Sequence, residues 1–183
     1  MAHSKKNKPE EQISRPLVYT LFFSVVLFCF TFGSSGLQII LRSDSLANIE
    51  SSLLSFLTNT EREKKGIPDL KISALLNKAA TLKAQDMAAK GYFSHNSPDG
   101  KTPWYWFDKV GYKYKTAGEN LAVNFGDSKE VTTAWMNSPA HEANIVKQNY
   151  TEIGTGQATG TYNGTEAVYV VQLYGQPLTS GSK

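Results

Sequence analysis

The chain has 183 residues, room for one folded unit and an appendage, and its 40% hydrophobic content with nine Tyr, nine Phe and three Trp excludes wholesale disorder. The formal net charge of +3 gathers at the start, where residues 1–16 hold four Lys/Arg against two acids, leaving fifteen against fourteen for everything after. A folded part so close to neutral excludes nucleic acid as a partner, because phosphate neutralisation needs a cationic face.

Residues 1–15 form a polar tail carrying Lys5, Lys6, Lys8 and Arg15, and from 16 to 41 there is no acidic, basic or His side chain. As a helix those twenty-six residues would span roughly 39 Å, enough for a hydrocarbon layer of about 30 Å. Apolar character breaks at Gly33-Ser34-Ser35-Gly36 and resumes before Arg42. With no Ala-x-Ala-like site, 16–41 reads as a transmembrane signal anchor; a cleaved signal peptide, with Gly33 and Ser35 as the small residues, is the alternative. The basic tail 1–15 then stays cytoplasmic and the rest faces outward, tethered to the cell membrane or secreted.

Within the exported part, Leu46, Ile49, Leu53, Leu54 and Leu57 recur at helical intervals over 45–65, and Gly66-Ile67-Pro68 ends the pattern. The cluster Arg62, Glu63, Lys64, Lys65 reads as the solvated end of that helix. Ile72, Leu75, Leu76, Ala79, Leu82 and Met87 set a second helical stripe stopped by Gly91. Residues 92–102 have loop composition, and Pro103-Trp104-Tyr105-Trp106-Phe107 opens a short helix whose aromatics read as a core plug rather than a sugar or base platform. A strand over Leu121-Ala122-Val123-Asn124-Phe125 follows Gly118-Glu119-Asn120; a helix through Val131, Ala134 and Trp135 follows, with Ser128 as its cap, and Pro139 resets the chain. Two last strands, near 153–158 and 167–174, flank Tyr162-Asn163-Gly164 and read as an antiparallel hairpin. Helices first and paired strands last indicate an α+β fold with an antiparallel sheet.

Several chemistries can be removed. His141-Glu142 starts a zincin-like string, but Ile145 stands where the second His is required. Gly154-x-Gly156 is spaced wrongly for a dinucleotide loop, and no phosphate loop or nucleophile elbow occurs. Cys29, the single cysteine, lies in the apolar segment, so the exported part has neither disulfide nor thiol nucleophile. What remains is His95 and His141, both in polar, Pro-containing settings, and Glu119 between polar neighbours. Two neutral imidazoles and a carboxylate can hold a divalent cation such as zinc in a partly open site, or can knit loops as a hydrogen-bonded network. The residues by themselves leave both readings open.

Four ordered runs carry a resemblance: 92–100 around Ser94-His95-Asn96-Ser97-Pro98, Gly118-Glu119-Asn120-Leu121-Ala122, 135–145 around Asn137-Ser138-Pro139-Ala140-His141, and Ile153-Gly154-Thr155-Gly156. Together they resemble the CAP superfamily of cysteine-rich secretory, antigen five and pathogenesis-related proteins, in its bacterial branch without disulfides. The resemblance covers a CAP domain 54–175, and with the segments read from composition the chain divides into the tail 1–15, the anchor or signal segment 16–41, a linker and helix start 42–53, that domain and a flexible tail 176–183. It implies an α-β-α sandwich with a central antiparallel sheet and a cleft where His95, Glu119 and His141 converge, in some members around a divalent metal. Disulfide-bearing members often carry a second acid at the position of Ser138, so any metal here should be held weakly. The resemblance implies an extracytoplasmic module for an extracellular ligand, a lipid, a peptide or a cell-wall component. The alternative is a metal-assisted or His-based hydrolase of peptides or cell-wall material, with His95, Glu119 and His141 as catalytic candidates.

Overall fold

The computed structural model describes residues 50–178, within the second of two compact units, Ala47–Lys183. The tail 1–15, the apolar segment 16–41 with Cys29, most of the linker 42–53 and the end of the tail 176–183 lie outside the described residues. Among the described residues no helix is long and apolar enough to cross a membrane.

The elements in chain order are α1 (Ser51–Lys64), β1 (Lys71–Ile72), α2 (Ala74–Lys90), α3 (Trp104–Lys109), β2 (Tyr114–Val123), α4 (Ser128–Met136), α5 (Pro139–Ile145), β3 (Glu152–Tyr162) and β4 (Thr165–Pro177). The strands form one sheet in the order β1-β3-β4-β2. Central β4 is antiparallel to both β3 and β2, while the two residues of β1 pair parallel to β3 at Lys71↔Glu152 and Ile72↔Ile153. The β3–β4 hairpin turns on Asn163 and Gly164 at φ 51° and 82°, the left-handed pair that an Asn-Gly turn favours.

Successive β4 side chains point to opposite faces, and both faces are covered. Tyr169, Val171 and Leu173 join one core with Leu76, Ala80, Met87, Trp106 and Phe107 of α2 and α3. Val170 and Tyr174 join the other with Leu54 of α1, Val131 and Trp135 of α4 and Ile145 of α5. This three-layer arrangement is the expected sandwich, and each fully buried large apolar side chain contributes about 1.5–3 kcal/mol. Helix α2 lies close on β3 because Gly154, Gly156 and Gly160 present no side chain: a Cβ on Gly156 would collide with the backbone of Ala80 and Thr81.

Several local expectations are revised. The cap of α4 is Asp127, whose carboxylate accepts from the N–H of Lys129 (2.7 Å) and Glu130 (2.9 Å); the Ser128 hydroxyl instead accepts from the N–H of Glu50. Pro139 does not merely reset the chain but starts α5, where its missing N–H and preset φ suit a first helical turn. His141 is therefore on a helix rather than a loop. Arg62 is buried, not solvated: Nε donates to Pro68 O (2.9 Å), and Nη1 to Ile145 O (2.8 Å) and Lys147 O (2.9 Å), tying α1 to the end of α5. The aromatic plug is half right: Trp106 and Phe107 are buried, whereas Trp104 and Tyr105 are 40% and 38% exposed. Strand β2 starts before Gly118 and contains Glu119, and β4 runs to Pro177 rather than stopping short of a tail beginning at 176.

Candidate functional site

Strand β2 is an edge of the sheet, and its residues Glu119 and Asn120, in register with Leu173 and Gln172, point to opposite faces. Glu119 meets the segment between α2 and α3 that carries His95. Asn120 meets α5, which carries His141: its Nδ2 donates to His141 O (3.1 Å), and Asn144 Nδ2 donates to Asn120 Oδ1 (2.9 Å) and Glu119 O (3.2 Å). Two consecutive residues of one strand thus receive the two histidine-bearing segments from the two layers. The alternation of a β-strand does this without any long loop.

His95 Nδ1 lies 2.7 Å from Glu119 Oε1, the geometry of an imidazole N–H donating to a carboxylate. Glu119 is 6% exposed, and its other oxygen, Oε2, is buried and has no hydrogen-bond partner among the described residues. Burial raises the Glu119 pKa above the ordinary carboxylate value; the His95 hydrogen bond and the charge of Lys83 oppose that and do not cancel it. The hydrogen bond to Glu119 raises the His95 pKa, against partial desolvation. His141 is shifted the other way, lowered first by burial and then by the charge of His95. Its Nδ1 lies 2.9 Å from Ser138 Oγ, with donor and acceptor set by the tautomer. Ser138 occupies the N-cap position of α5, yet its hydroxyl caps no backbone N–H.

Of the three candidates the structure joins two directly, His95 and Glu119; His141 bonds Ser138 instead, and its tie to the pair is the charge of His95 that helps lower its pKa. Among the described residues no group of three or more His, Cys, Asp or Glu side chains is arranged to hold a metal ion. Glu119 spends Oε1 on His95, which places it as the carboxylate that orients an imidazole, the arrangement found behind metal-bound histidines. Each imidazole has its Nδ1 engaged by protein, so Nε2 is the nitrogen left for a cation or a ligand. The orphaned Oε2 of Glu119 adds a buried acceptor suited to a hydrogen-bond donor. Surface hollows of about 490 Å³ beside α4 and about 390 Å³ beside Arg62 are lined by none of these three residues. Sequence reasoning missed the roles of Asn120 and Asn144, which fasten α5 to the strand; it placed Asn120 ahead of the strand, and an Asn inside β2, a poor strand former, is a signal only once the strand is known to start at Tyr114.

Comparison with known proteins adds to this geometry. The family model described as CAP, cysteine-rich secretory protein family, matches residues 56–174. The Bacillus subtilis (strain 168) protein YkwD is 47% identical over 100 residues, 55% of this chain and 39% of that protein. The membrane protein YlbC of the same organism is 30% identical over 100 residues, 55% of this chain and 29% of that one. This chain thus spans well under half the length of both relatives. Among solved structures, an extracellular protein containing an SCP domain from Bacillus anthracis str. Ames superposes with a TM-score of 0.60 at 25% identity, covering 69% of this chain and 40% of that one.

Proposed function

The chain belongs to the CAP, or cysteine-rich secretory protein, family, and from that premise we propose that its folded unit works outside the cytoplasm as a ligand-binding module of the cell envelope, held by its apolar segment or released from it. His95, Glu119 and His141 form the binding site in this reading. The observation that carries it is the 2.7 Å contact between His95 Nδ1 and a buried Glu119 whose second oxygen has no partner among the described residues. A buried carboxylate with half its acceptor capacity unused is costly unless something completes it.

A divalent cation such as zinc would sit on the two imidazoles rather than on Oε2, because Glu119 faces the Nδ1 side of His95. His95 and His141 would hold it through Nε2 and Glu119 would orient His95, and the cation would supply Lewis acidity there. With Ser138 in place of a further acid, that binding is weak. The other class of ligand is an extracellular molecule, a lipid, peptide or cell-wall fragment, that offers a hydrogen-bond donor to Glu119. A hydrolytic reading has one observation in its favour. Burial lowers the His141 pKa and so keeps it neutral near pH 7, the form required of a general base.

Zinc titration of the full chain in detergent micelles tests the metal reading: saturable binding lost in His141→Ala and weakened about 10–100-fold in Glu119→Gln supports it. Absence of saturable binding removes the cation and leaves the module with an organic ligand. Cleavage of peptides or cell-wall fragments that disappears in Glu119→Gln would move the hydrolase reading ahead.

A further inference from the structure

We propose that Lys83 is a positioning residue of this site: its buried ammonium grips the segment carrying His95 and so sets the imidazole against Glu119. This rests on the reading of His95 and Glu119 as a working pair.

Lys83 sits inside α2 on the stripe formed by Leu76, Ala79, Ala80, Ala84 and Met87, where an apolar residue would be ordinary, and it is fully buried. Its Nζ donates to His95 O at 2.8 Å, to Ser94 O at 2.9 Å and to Tyr92 OH at 3.3 Å. An ammonium has three N–H donors, and these three acceptors match them. Among the described residues Lys83 makes no ion pair with a carboxylate, so its desolvation is offset by carbonyl and hydroxyl oxygens and by the more distant charges of Glu119 and Asp86. The two carbonyls belong to consecutive residues in a segment without helix or strand, which has no ladder to satisfy or orient them.

The same face of α2 continues the hold. Tyr92 OH donates to Asp86 Oδ2 (2.6 Å), and Lys90 pairs with Asp86 (2.7 Å) and reaches Asp99 (3.2 Å) farther along the segment. Lys83, Asp86 and Lys90 stand at i, i+3 and i+7, so one helix face fastens both ends of the segment bearing His95. Of these three, Lys83 is the one that hydrogen-bonds the backbone of His95 itself. Its charge and that of the buried Glu119 carboxylate each favour the ionised form of the other.

The test is nuclear magnetic resonance on the full chain in detergent micelles. In the unaltered chain the Lys83 ammonium should give a slowly exchanging ¹⁵N signal with through-hydrogen-bond coupling to the carbonyls of Ser94 and His95, and His95 Nδ1–H should give a low-field, protected resonance. Lys83→Met, which suits the apolar stripe, should remove the His95 Nδ1–H resonance while the unfolding transition stays cooperative and the His141 signals stay in place. Tyr92→Phe, which spares both carbonyl bonds, should leave that resonance. A His95 Nδ1–H that persists unchanged in a folded Lys83→Met overturns the proposal. If that variant does not fold, the unaltered chain decides: an ammonium exchanging as fast as an exposed lysine overturns it equally. A chain that binds no zinc but shows all these signals would remove the metal reading and leave the role of Lys83 standing.

Discussion

The two histidines carry opposite perturbations although they share a neighbourhood. Hydrogen bonding to Glu119 raises His95, and burial lowers His141. Imidazole titrations of the metal-free protein should therefore bracket the ordinary value of about 6.5, with His95 above and His141 below. Glu119→Gln should bring His95 back toward that value, and identical titrations for the two rings would contradict the geometry. The stability linkage follows from the signs. The His95 contribution is present below about pH 6.5 and is lost as pH rises through its raised folded value, whereas burial of neutral His141 costs stability as pH falls below about 6.5. Unfolding measured across pH 5–8 in His95→Asn and His141→Gln should show these opposite slopes removed one at a time. At this scale the sequence identified the candidates, because only two histidines lie beyond the tail. It could not tell which histidine Glu119 engages, since that is decided by the face of β2 from which the Glu119 side chain leaves.

At the scale of elements, caps and contacts set the testable magnitudes. Asp127→Ala removes both side-chain bonds to the first turn of α4 and should cost about 1 kcal/mol in urea unfolding, while Ser128→Ala, which removes no helix cap, should leave the turn intact. The sequence offered Asp and Ser side by side, and both residue types cap well; their one-residue register was settled by Ser128 turning to the backbone of Glu50. Gly156→Ala should be more damaging, about 1–3 kcal/mol, because the new methyl meets the α2 backbone rather than a movable side chain. A Gly156→Ala variant with unchanged unfolding midpoint would mean that α2 and β3 can separate freely. Helix α5 escaped the sequence reading because seven residues are too few for a period to emerge, and β1, with two, has no pattern at all.

For the whole molecule, two cores on the two faces of β4 share one strand, so loss of either exposes the other. Trp135→Ala, in the core against α1, α4 and α5, should cost about 3–5 kcal/mol and lower the single unfolding transition of the whole unit rather than split it. Where that unit sits depends on residues before it. A signal anchor predicts that the chain recovered from membranes keeps its full 20.2 kDa and that external protease reaches the folded unit; a shorter mature mass would show that the leader is cleaved.

By itself the sequence determined the α+β class, the hairpin and the identity of the three polar candidates, because hydrophobic period, turn chemistry and residue scarcity are local properties of the chain; the family and its layered sandwich came from the resemblance of four motif runs and from the family match. The tertiary structure alone decided that Glu119 is buried and bonded to His95, that Arg62 and Lys83 are interior cations holding carbonyls, and that His141 rides on a helix fastened to the same strand. Each of those depends on which distant backbone atoms approach a side chain, and no local pattern encodes the partner on the other side of a sheet.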